Sequence, residues 1–273
     1  MFELKIGKSG ASEAEEEKYD GGKCSFNFLK KVLEGVGEII KSSDIKITAE
    51  GLYIQAMDPM HVSMVDIFLK NTAFESYRCD KNIILGVPLP AILKIFRSLP
   101  VDGASSVLLS ADDDATDLNI VCEEGSKKYS YKLKLMSTGE EEYSFPAQVY
   151  DASIEISAGE MQRVIRTLGA FGEILQVSAN QKGMLFTQQS DVGDSEVFFS
   201  MEESGENSEK REVTLNVAKD TVLSFPYKYL ATFGKFGSLG HNIRISMSED
   251  YPVHVALNMS MGYLNYYIAP REQ

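Results

Sequence analysis

Short stretches in which apolar and polar residues alternate recur along most of the chain. A period of two residues is the pattern of a strand with one buried face and one solvated face. Glycine, proline, asparagine and aspartate, which favour turns, separate the stretches. The alternation predicts strands at 45–48, 52–56, 62–69, 107–110, 118–122, 129–135, 213–217, 243–247 and 253–258.

Only four segments have the apolar spacing of an amphipathic helix. They are residues 28–40, 89–99, 158–168 and 226–236. Each has apolar residues three or four positions apart, as in Leu29, Val32 and Leu33, so that one face can pack on a sheet. Few helices among many strands predict the α+β class.

The second half of the chain repeats the organisation of the first. A helix ending near Ile40 leads into IKITAEGLYIQAMD, and a helix ending near Leu168 leads into LQVSANQKGMLFTQQS, with Gly51 and Gly183 in equivalent turns. Later, VPLPAILKIF followed by VLLSADDD matches FPYKYLATF followed by IRISMSED. Each half therefore contains a strand–helix–strands unit twice, and the four helices are equivalent.

The repeat predicts two similar domains, at residues 1–136 and 150–273. Between them, residues 137–149 have neither helical nor strand periodicity and are interpreted as an interdomain connector. Two acidic segments, 11–22 and 202–212, fit no element and are expected to be solvated, mobile loops.

The charge is distributed unevenly between the helices and the rest of the chain. The formal net charge is -13, which by itself argues against a nucleic-acid ligand. The four helices, however, carry eight basic residues against the three acidic residues Glu34, Glu38 and Glu160. Basic faces on four equivalent helices, without aromatic stacking platforms, favour sequence-independent contact with duplex phosphates. The basic residues are Lys30, Lys31, Lys94, Arg97, Arg163, Arg166, Lys228 and Lys235.

Neither a membrane segment nor a familiar catalytic motif is evident. No apolar run approaches the roughly 18 residues of a membrane span, and the first ten residues have no apolar signal core. The three cysteines lack paired spacing, which predicts reduced thiols in the cytosol or nucleus. Phosphate-loop, dinucleotide-binding, hydrolase-elbow and zinc motifs are absent, so no catalytic residue, cofactor or metal is expected.

An enzyme with a spatially assembled site remains the alternative from another class. Its candidate residues are Asp58, His61 and Asp112. The acidic run 112–114 lies between two predicted strands, where a turn is the favoured interpretation. The histidines His61, His241 and His254 lie far apart in the sequence, and His61 is interpreted as a surface or interface residue.

Several motifs, in order along nearly the whole chain, resemble one family. They are FLKKVLE at 28–34, AMDPMHVSMV at 56–65, YRCDKNIILGV at 77–87, YKLKLM at 131–136 and GYLNYYIAP at 262–270. These segments closely resemble the eukaryotic proliferating cell nuclear antigen family of DNA sliding clamps. The resemblance implies a homotrimeric ring in the nucleus, with sheets outside and helices lining a hole that encloses duplex DNA.

The resemblance also assigns residues to two of the expected surfaces. It implies that DNA phosphates contact Lys30, Lys31, Lys94, Arg97, Arg163, Arg166 and Lys228. At the subunit junction, helix 89–99 and strand 127–133 are expected to meet helix 158–168 and strand 194–199 of a neighbour. The expected interface residues are Lys94, Arg97, Lys127, Tyr131, Arg163, Thr167, Ser195 and Val197.

A third expected surface is a groove beneath the connector that takes short partner peptides with aromatic and aliphatic anchors. Its implied residues are Met57, His61, Val62, Met64, Tyr143, Phe145, Pro146, Pro252, Tyr267, Ala269 and Pro270. The resemblance implies that a DNA polymerase, a flap endonuclease and a DNA ligase dock there in replication and repair. It also implies a clamp loader, which opens the ring.

The sequence departs from the family pattern at three places. The acidic insertion near 11–24 is longer than usual, and Gly37 replaces a basic residue on the first helix. Gln181 stands at the position of a lysine that eukaryotic clamps modify, with Lys182 next to it. A subunit of a heteromeric damage-checkpoint clamp remains the alternative within the same fold, although the intact YYIAP segment disfavours it.

Overall fold

A computed structural model of the chain contains four α-helices and eighteen strands among the residues that it describes. These residues are 1–7, 23–101, 105–114, 116–137, 139, 143, 148–169, 171–201 and 213–271. The predicted acidic loops at 11–22 and 202–212 lie outside them, as do the predicted groove residues Phe145 and Pro146. No described helix has the length and apolarity needed to cross a membrane.

The described residues of the first half of the chain form two helices and nine strands. The helices are α1 (Phe26–Ile39) and α2 (Leu89–Ser98). The strands are β1 (Phe2–Ile6), β2 (Ser42–Ile47), β3 (Gly51–Met57), β4 (Ser63–Lys70), β5 (Ser76–Cys79), β6 (Ile83–Pro88), β7 (Ser106–Ala111), β8 (Asp117–Glu124) and β9 (Lys127–Lys134). They form a five-stranded sheet in the order β5-β1-β7-β8-β9 and a run of four strands in the order β4-β3-β2-β6.

The second half has the same number of elements. The helices are α3 (Ala158–Leu168) and α4 (Tyr227–Phe233). The strands are β10 (Ala152–Ser157), β11 (Ile174–Asn180), β12 (Gly183–Ser190), β13 (Gly193–Ser200), β14 (Val213–Val217), β15 (Thr221–Pro226), β16 (Asn242–Met247), β17 (Val253–Met259) and β18 (Gly262–Ile268). They run in the orders β14-β10-β16-β17-β18 and β13-β12-β11-β15.

The predicted internal repeat is confirmed by these strand orders. If β10 is equated with β1, and so on to β18 with β9, the order β5-β1-β7-β8-β9 becomes β14-β10-β16-β17-β18, and the four-stranded order matches likewise. A strand, a helix and three further strands therefore occur four times, as the α+β prediction with a duplicated unit requires. All nine strands that the alternation predicts are present.

Glycine is required at the equivalent turns that the repeat identifies. Gly51 has φ of 152° and Gly183 has φ of 154°, a region that side chains with a Cβ rarely adopt. A Cβ at these two positions would also collide with the carbonyl oxygens of Leu69 and Phe199, respectively. The two glycines thus allow the same close approach of a neighbouring strand in each half.

The helices bury their apolar faces, as their spacing predicts. In α1 the side chains of Leu29, Val32 and Leu33 are all buried, and each such burial stabilises the fold by about 2 kcal/mol. The fourth helix differs from its predicted range of 226–236, because α4 ends at Phe233 and a 3-10 helix continues over Gly234–Leu239. None of the three cysteines, all of which are described, forms a disulfide.

The chain divides into two compact units, each completed by a short piece from the other half. The first consists of Met1–Asp58, Val65–Tyr143 and Met259–Leu264. The second consists of Pro59–Met64, Ser144–Asn258 and Asn265–Gln273. The contacts described below lie within one unit or the other.

Candidate nucleic-acid interface and partner groove

The basic residues of α1 lie beside its buried face. The helix begins at a favourable cap, because the hydroxyl of Ser25 accepts a hydrogen bond from the Phe28 amide at 3.1 Å. The buried face includes Phe28, Leu29 and Val32, which leaves Lys30 and Lys31 partly exposed. These two ammonium groups can therefore meet a ligand without disturbing the core.

The basic residues of α2 are exposed, but one of them already has an acidic partner. Lys94 is exposed, and the Arg97 side chain is 62% exposed. Arg97 donates from Nη2 to the Glu34 carboxylate on α1 at 3.1 Å, and also from Nε at 3.3 Å. From the sequence alone, Glu34 is only one of three acidic residues on the predicted helices. The structure shows that this acid lowers the positive charge where Arg97 projects.

A similar pairing occurs within α3. Arg163 lies 3.0 Å from Glu160 one turn earlier, with its side chain 70% exposed. Arg166 is exposed and donates from Nε to the Gln162 carbonyl of its own helix. Exposed ion pairs contribute at most about 1 kcal/mol and are screened by salt. Both arginines can therefore turn towards a phosphate at little cost.

The fourth helix presents fewer basic residues than the sequence predicts. Lys228 is exposed, and its ammonium group lies 4.8 Å from the centre of the Tyr229 ring. Lys235 is also exposed, but it lies in the 3-10 segment beyond Gly234. The segment leaves α-helical geometry where it packs on α3, since a Cβ on Gly237 would lie 2.6 Å from Gln162 Nε2.

The edge strands β9 and β13 have opposite charge. Among the described residues, β9 pairs only with β8 and β13 pairs only with β12. The strand β9 carries Lys127, Lys128, Lys132 and Lys134, whereas β13 carries Asp194 and Glu196. Each strand therefore offers a row of backbone groups to another chain, one on a basic edge and the other on an acidic edge.

The predicted interface residues are found on or beside these edges. The Tyr131 hydroxyl lies 3.2 Å from Ser98 Oγ, which ties β9 to the end of α2. Thr167 is exposed on α3, and Val197 is partly exposed on β13. The Ser195 hydroxyl on β13 is buried and has no hydrogen-bond partner among the described residues. Phe198 is 53% exposed on the same strand, so β13 also presents apolar area.

Most of the predicted groove residues lie in the second unit. The Val62 carbonyl accepts from the Ala269 amide at 2.8 Å, which sets the turn before β4 beside the end of β18. His61 is exposed and has φ of 56°. Val62, Tyr267, Ala269, Pro252 and Pro270 are partly exposed, whereas Met64 is only 2% exposed and packs beneath the surface.

Two aromatic residues that sequence reasoning missed accompany Tyr267. The His254 ring is stacked on Tyr267 at 4.8 Å and on Tyr150 at 5.9 Å. Burial raises the pKa of the Tyr150 hydroxyl. His254 and Tyr267 lie on the same face of neighbouring strands, and strand periodicity alone could have suggested this pairing.

In the first unit, the predicted groove residues are Met57 and Tyr143. Met57 is partly exposed at the end of β3. The Gln55 side chain, two residues earlier on the same face, donates from Nε2 to the Tyr143 carbonyl at 3.0 Å and accepts from the Tyr143 amide at 3.2 Å. The sequence reasoning missed Gln55, although its spacing from Met57 places both on one face.

Two further predicted positions lie in turns. Asp112 is exposed between β7 and β8, which confirms the turn interpretation of residues 112–114. Lys182 is exposed in the turn between β11 and β12, next to Gln181, whose Nε2 donates to the Val217 carbonyl at 3.1 Å. Among the described residues, no group of three or more His, Cys, Asp or Glu side chains could hold a metal ion.

Comparisons with known proteins give one consistent result. Residues 23–142 match the model of the proliferating cell nuclear antigen N-terminal domain, and residues 144–271 match the C-terminal domain. The proliferating cell nuclear antigen of Dictyostelium discoideum is 29% identical over 248 residues, which cover 90% of this chain and 96% of that protein. The Chaetomium thermophilum protein of the same name is 31% identical, with 90% and 95% covered.

Proposed function

Because the chain belongs to the proliferating cell nuclear antigen family, we propose that it is a DNA sliding clamp, a homotrimeric ring that encircles duplex DNA in the nucleus. The proposed ring holds a DNA polymerase on its template and docks replication and repair proteins, and it makes or breaks no bond itself. The observation that carries this proposal is the placement of exposed or partly exposed basic residues on four equivalent helices in an otherwise acidic chain.

The proposed DNA contacts are made by the exposed basic residues of the helices. Lys94 and Arg166 are examples, and neither requires the core to move. Lysine and arginine contacts to phosphates are independent of sequence and weaken steeply with salt. Such contacts hold the duplex loosely enough for sliding, while closure of the ring provides retention. The proposed set is Lys30, Lys31, Lys94, Arg97, Arg163, Arg166 and Lys228.

Ring closure is supported by the opposite charges of the two edge strands. A contact between β9 of one subunit and β13 of the next joins two different surfaces of the same chain. Head-to-tail contacts of this kind generate rings when the rotation closes. Pairing of the two strands would also remove two exposed edges and bring the lysines of β9 to Asp194 and Glu196.

The proposed docking platform is the set of groove residues that the family resemblance implies, with the connector proposed at 137–149, between domains at 1–136 and 150–273. A partly exposed Met57, the aromatic Tyr267 and Pro252 suit aromatic and aliphatic anchors of short peptides. The proposed peptide partners are a DNA polymerase, a flap endonuclease and a DNA ligase. A clamp loader is proposed to open the ring, since a closed ring cannot thread onto circular DNA.

Retention on circular DNA tests this function directly. The chain is loaded onto nicked circular DNA with a clamp loader, and the DNA-bound fraction is measured in high salt before and after the circle is linearised. A clamp held by linkage survives the salt and is lost on linearisation. Salt-sensitive binding with no dependence on circularity would contradict the proposal. Sedimentation should give about three times the chain mass of 30.3 kDa.

A further inference from the structure

Two side chains on neighbouring strands of the first unit, β2 and β3, bind the backbone of the connector. Asp44 on β2 accepts a hydrogen bond at Oδ2 from the Gly139 amide at 2.9 Å. Gln55 on β3 makes the two hydrogen bonds to Tyr143 described above. The register that pairs Ile45 with Ile54 places Asp44 and Gln55 directly opposite each other. The two connections are therefore neighbours on one face of the sheet.

The Gln55 side chain forms the pair of hydrogen bonds with Tyr143 that a neighbouring strand would form. Its amide offers one N–H donor and one carbonyl acceptor to Tyr143, the same two groups that a paired backbone residue offers. A side-chain amide used in this way fixes both the position and the direction of the residue that it binds. The backbone of Tyr143, a residue expected at the groove, is consequently positioned by a residue outside the predicted groove.

Asp66 reinforces the direction in which the Gln55 amide faces. Gln55 Nε2 also donates to Asp66 Oδ1 on β4 at 3.3 Å. An ionised carboxylate can only accept hydrogen bonds, so it selects the orientation with Nε2 towards it and Oε1 towards the Tyr143 amide. Asp66 also hydrogen-bonds the Tyr263 hydroxyl, and burial together with this carboxylate raises the pKa of Tyr263 to about 12.

The ring of Tyr263 is fixed in turn by packing. It lies 5.7 Å from the Phe68 ring, which is stacked on Tyr53 at 4.4 Å. These three aromatic side chains, Asp66 and Gln55 thus form a continuous line of contacts that ends at the Tyr143 backbone. Burial raises the pKa of the Asp44 carboxyl, against the lowering effect of its hydrogen bond from Gly139. The Gln55–Tyr143 hydrogen bonds are partly buried, whereas the Asp44–Gly139 hydrogen bond is exposed.

We propose that Asp44 and Gln55, the latter oriented by Asp66, form a two-point latch that registers the connector at Gly139 and Tyr143 and sets the affinity of the groove for partner peptides. The effect on peptide affinity rests on the proposed function. The positioning of Gly139 and Tyr143 rests on the hydrogen bonds alone. The latch residues are positioning residues, because they act on the peptide through the connector.

The first test replaces one atom of the latch. Gln55→Glu keeps the shape of the side chain but removes the donor to Tyr143 and brings a second carboxylate to Asp66. Because two hydrogen bonds of ordinary strength are affected, and about 1.4 kcal/mol corresponds to tenfold, peptide affinity should fall about tenfold. Gln176→Glu, which makes the same change at an exposed position of β11, is the matched control.

Three further variants distinguish loss of the latch from general damage to the fold. Asp66→Asn added to Gln55→Glu supplies an amide donor to the new carboxylate, which still accepts from the Tyr143 amide, and should restore part of the affinity. Asp44→Asn keeps an oxygen that can accept from Gly139, whereas Asp44→Ala does not. Of these two variants, only Asp44→Ala should therefore weaken the latch.

The readouts are amide hydrogen exchange at Gly139 and Tyr143, followed by NMR, and binding of a labelled peptide with aromatic and aliphatic anchors to the full chain. In Gln55→Glu, the new carboxylate is repelled by Asp66 and by the Tyr143 carbonyl, which draws the acceptor away from the Tyr143 amide. Faster exchange at Tyr143 in this variant and at Gly139 in Asp44→Ala, with weaker peptide binding, supports the proposal. Unchanged exchange at both amides overturns the latch.

The binding measurements separate failure of the latch from failure of the groove. Faster exchange with unchanged peptide affinity overturns the effect on peptide affinity alone. If the wild-type chain does not bind the peptide, the groove itself is wrong and the effect on peptide affinity falls with it. The exchange measurements still decide whether Asp44 and Gln55 register the connector.

Discussion

The guanidinium of Arg97 on α2 is paired with the carboxylate of Glu34 on α1, at 3.1 Å between Nη2 and Oε1. The two residues are 63 positions apart in the sequence. One proposed DNA-contacting residue therefore has a competing anion next to it. Phosphate must displace Glu34 before Arg97 can contribute fully.

Replacement of Glu34 by Gln is expected to strengthen DNA binding. The change releases Arg97 and adds one unit of positive charge to the helix surface, so the affinity at low salt should rise several-fold, with a steeper salt dependence. A salt titration of binding to a short duplex measures both quantities. Glu38→Gln, one turn further along α1, changes the charge equally without releasing Arg97 and should have a smaller effect. Equal effects would show that the pairing is unimportant.

Reversal of the two arginines of α3 is expected to weaken function without unfolding the chain. Arg163 and Arg166 are exposed, so Arg163→Glu combined with Arg166→Glu removes phosphate contacts and leaves the core intact. DNA-dependent stimulation of a polymerase should fall at least tenfold, with a greater loss as salt rises.

A matched double variant tests whether the position of these charges matters. Lys182 and Lys219 are exposed in turns of the second unit, and reversal of both makes the same change in net charge. Polymerase stimulation by this control should stay near the wild-type level, and urea unfolding should give similar midpoints for both variants. Equal loss in the two variants would argue against specific contacts by α3.

The sequence predicts elements better than it predicts the contacts between them. Alternation found β2, β3 and β4 because each of these strands has one polar face, and helical spacing found all four helices. It did not single out the other nine described strands, among them β6 and β15, where Ile84 and Val222 are apolar on the exposed face and the alternation is lost. Long-range pairs such as Arg97 with Glu34 leave no periodic signal.

The candidate site shows the same difference. The basic residues of the helices could be found by inspection, since Lys94 and Arg97 recur at helical spacing. The role of Gln55 could not, because its partner Tyr143 lies 88 positions away in a segment without periodicity. The role of Asp66 could not be predicted either, since its contact with Gln55 depends on which strands lie next to β4 in the sheet.

The charge difference between the edge strands predicts a specific defect in assembly. Asp194→Lys combined with Glu196→Lys makes both edges basic and is expected to weaken the trimer. Lys127→Glu and Lys132→Glu, added in the same chain, remove the net positive charge of β9, offer two carboxylates to the new lysines of β13 and should restore assembly in part. Sedimentation across a concentration series measures the shift.

The control for assembly places the same charges elsewhere. Glu249 and Asp250 are exposed in the turn between β16 and β17, neither of which is an edge strand. Their replacement by lysine makes the same change in net charge and should leave the sedimentation profile unchanged. If the variant with all four substitutions assembles no better than the variant with Asp194→Lys and Glu196→Lys alone, opposite charge does not join the strands.

A final prediction concerns alkaline stability and the thiol of Cys24. Burial raises the pKa of this thiol to about 12 from its ordinary value near 9. The folded state therefore binds the proton more tightly than the unfolded state, so its contribution is complete below about pH 9 and is lost as the pH rises towards 12. Cys24→Ala should flatten the decline in unfolding free energy over this window, by up to about 1.4 kcal/mol per pH unit. Val32→Ala, a buried change without a titrating group, should lower the unfolding free energy at every pH and leave its slope against pH unchanged. If wild type and Cys24→Ala have equal slopes, the thiol does not cause the alkaline decline.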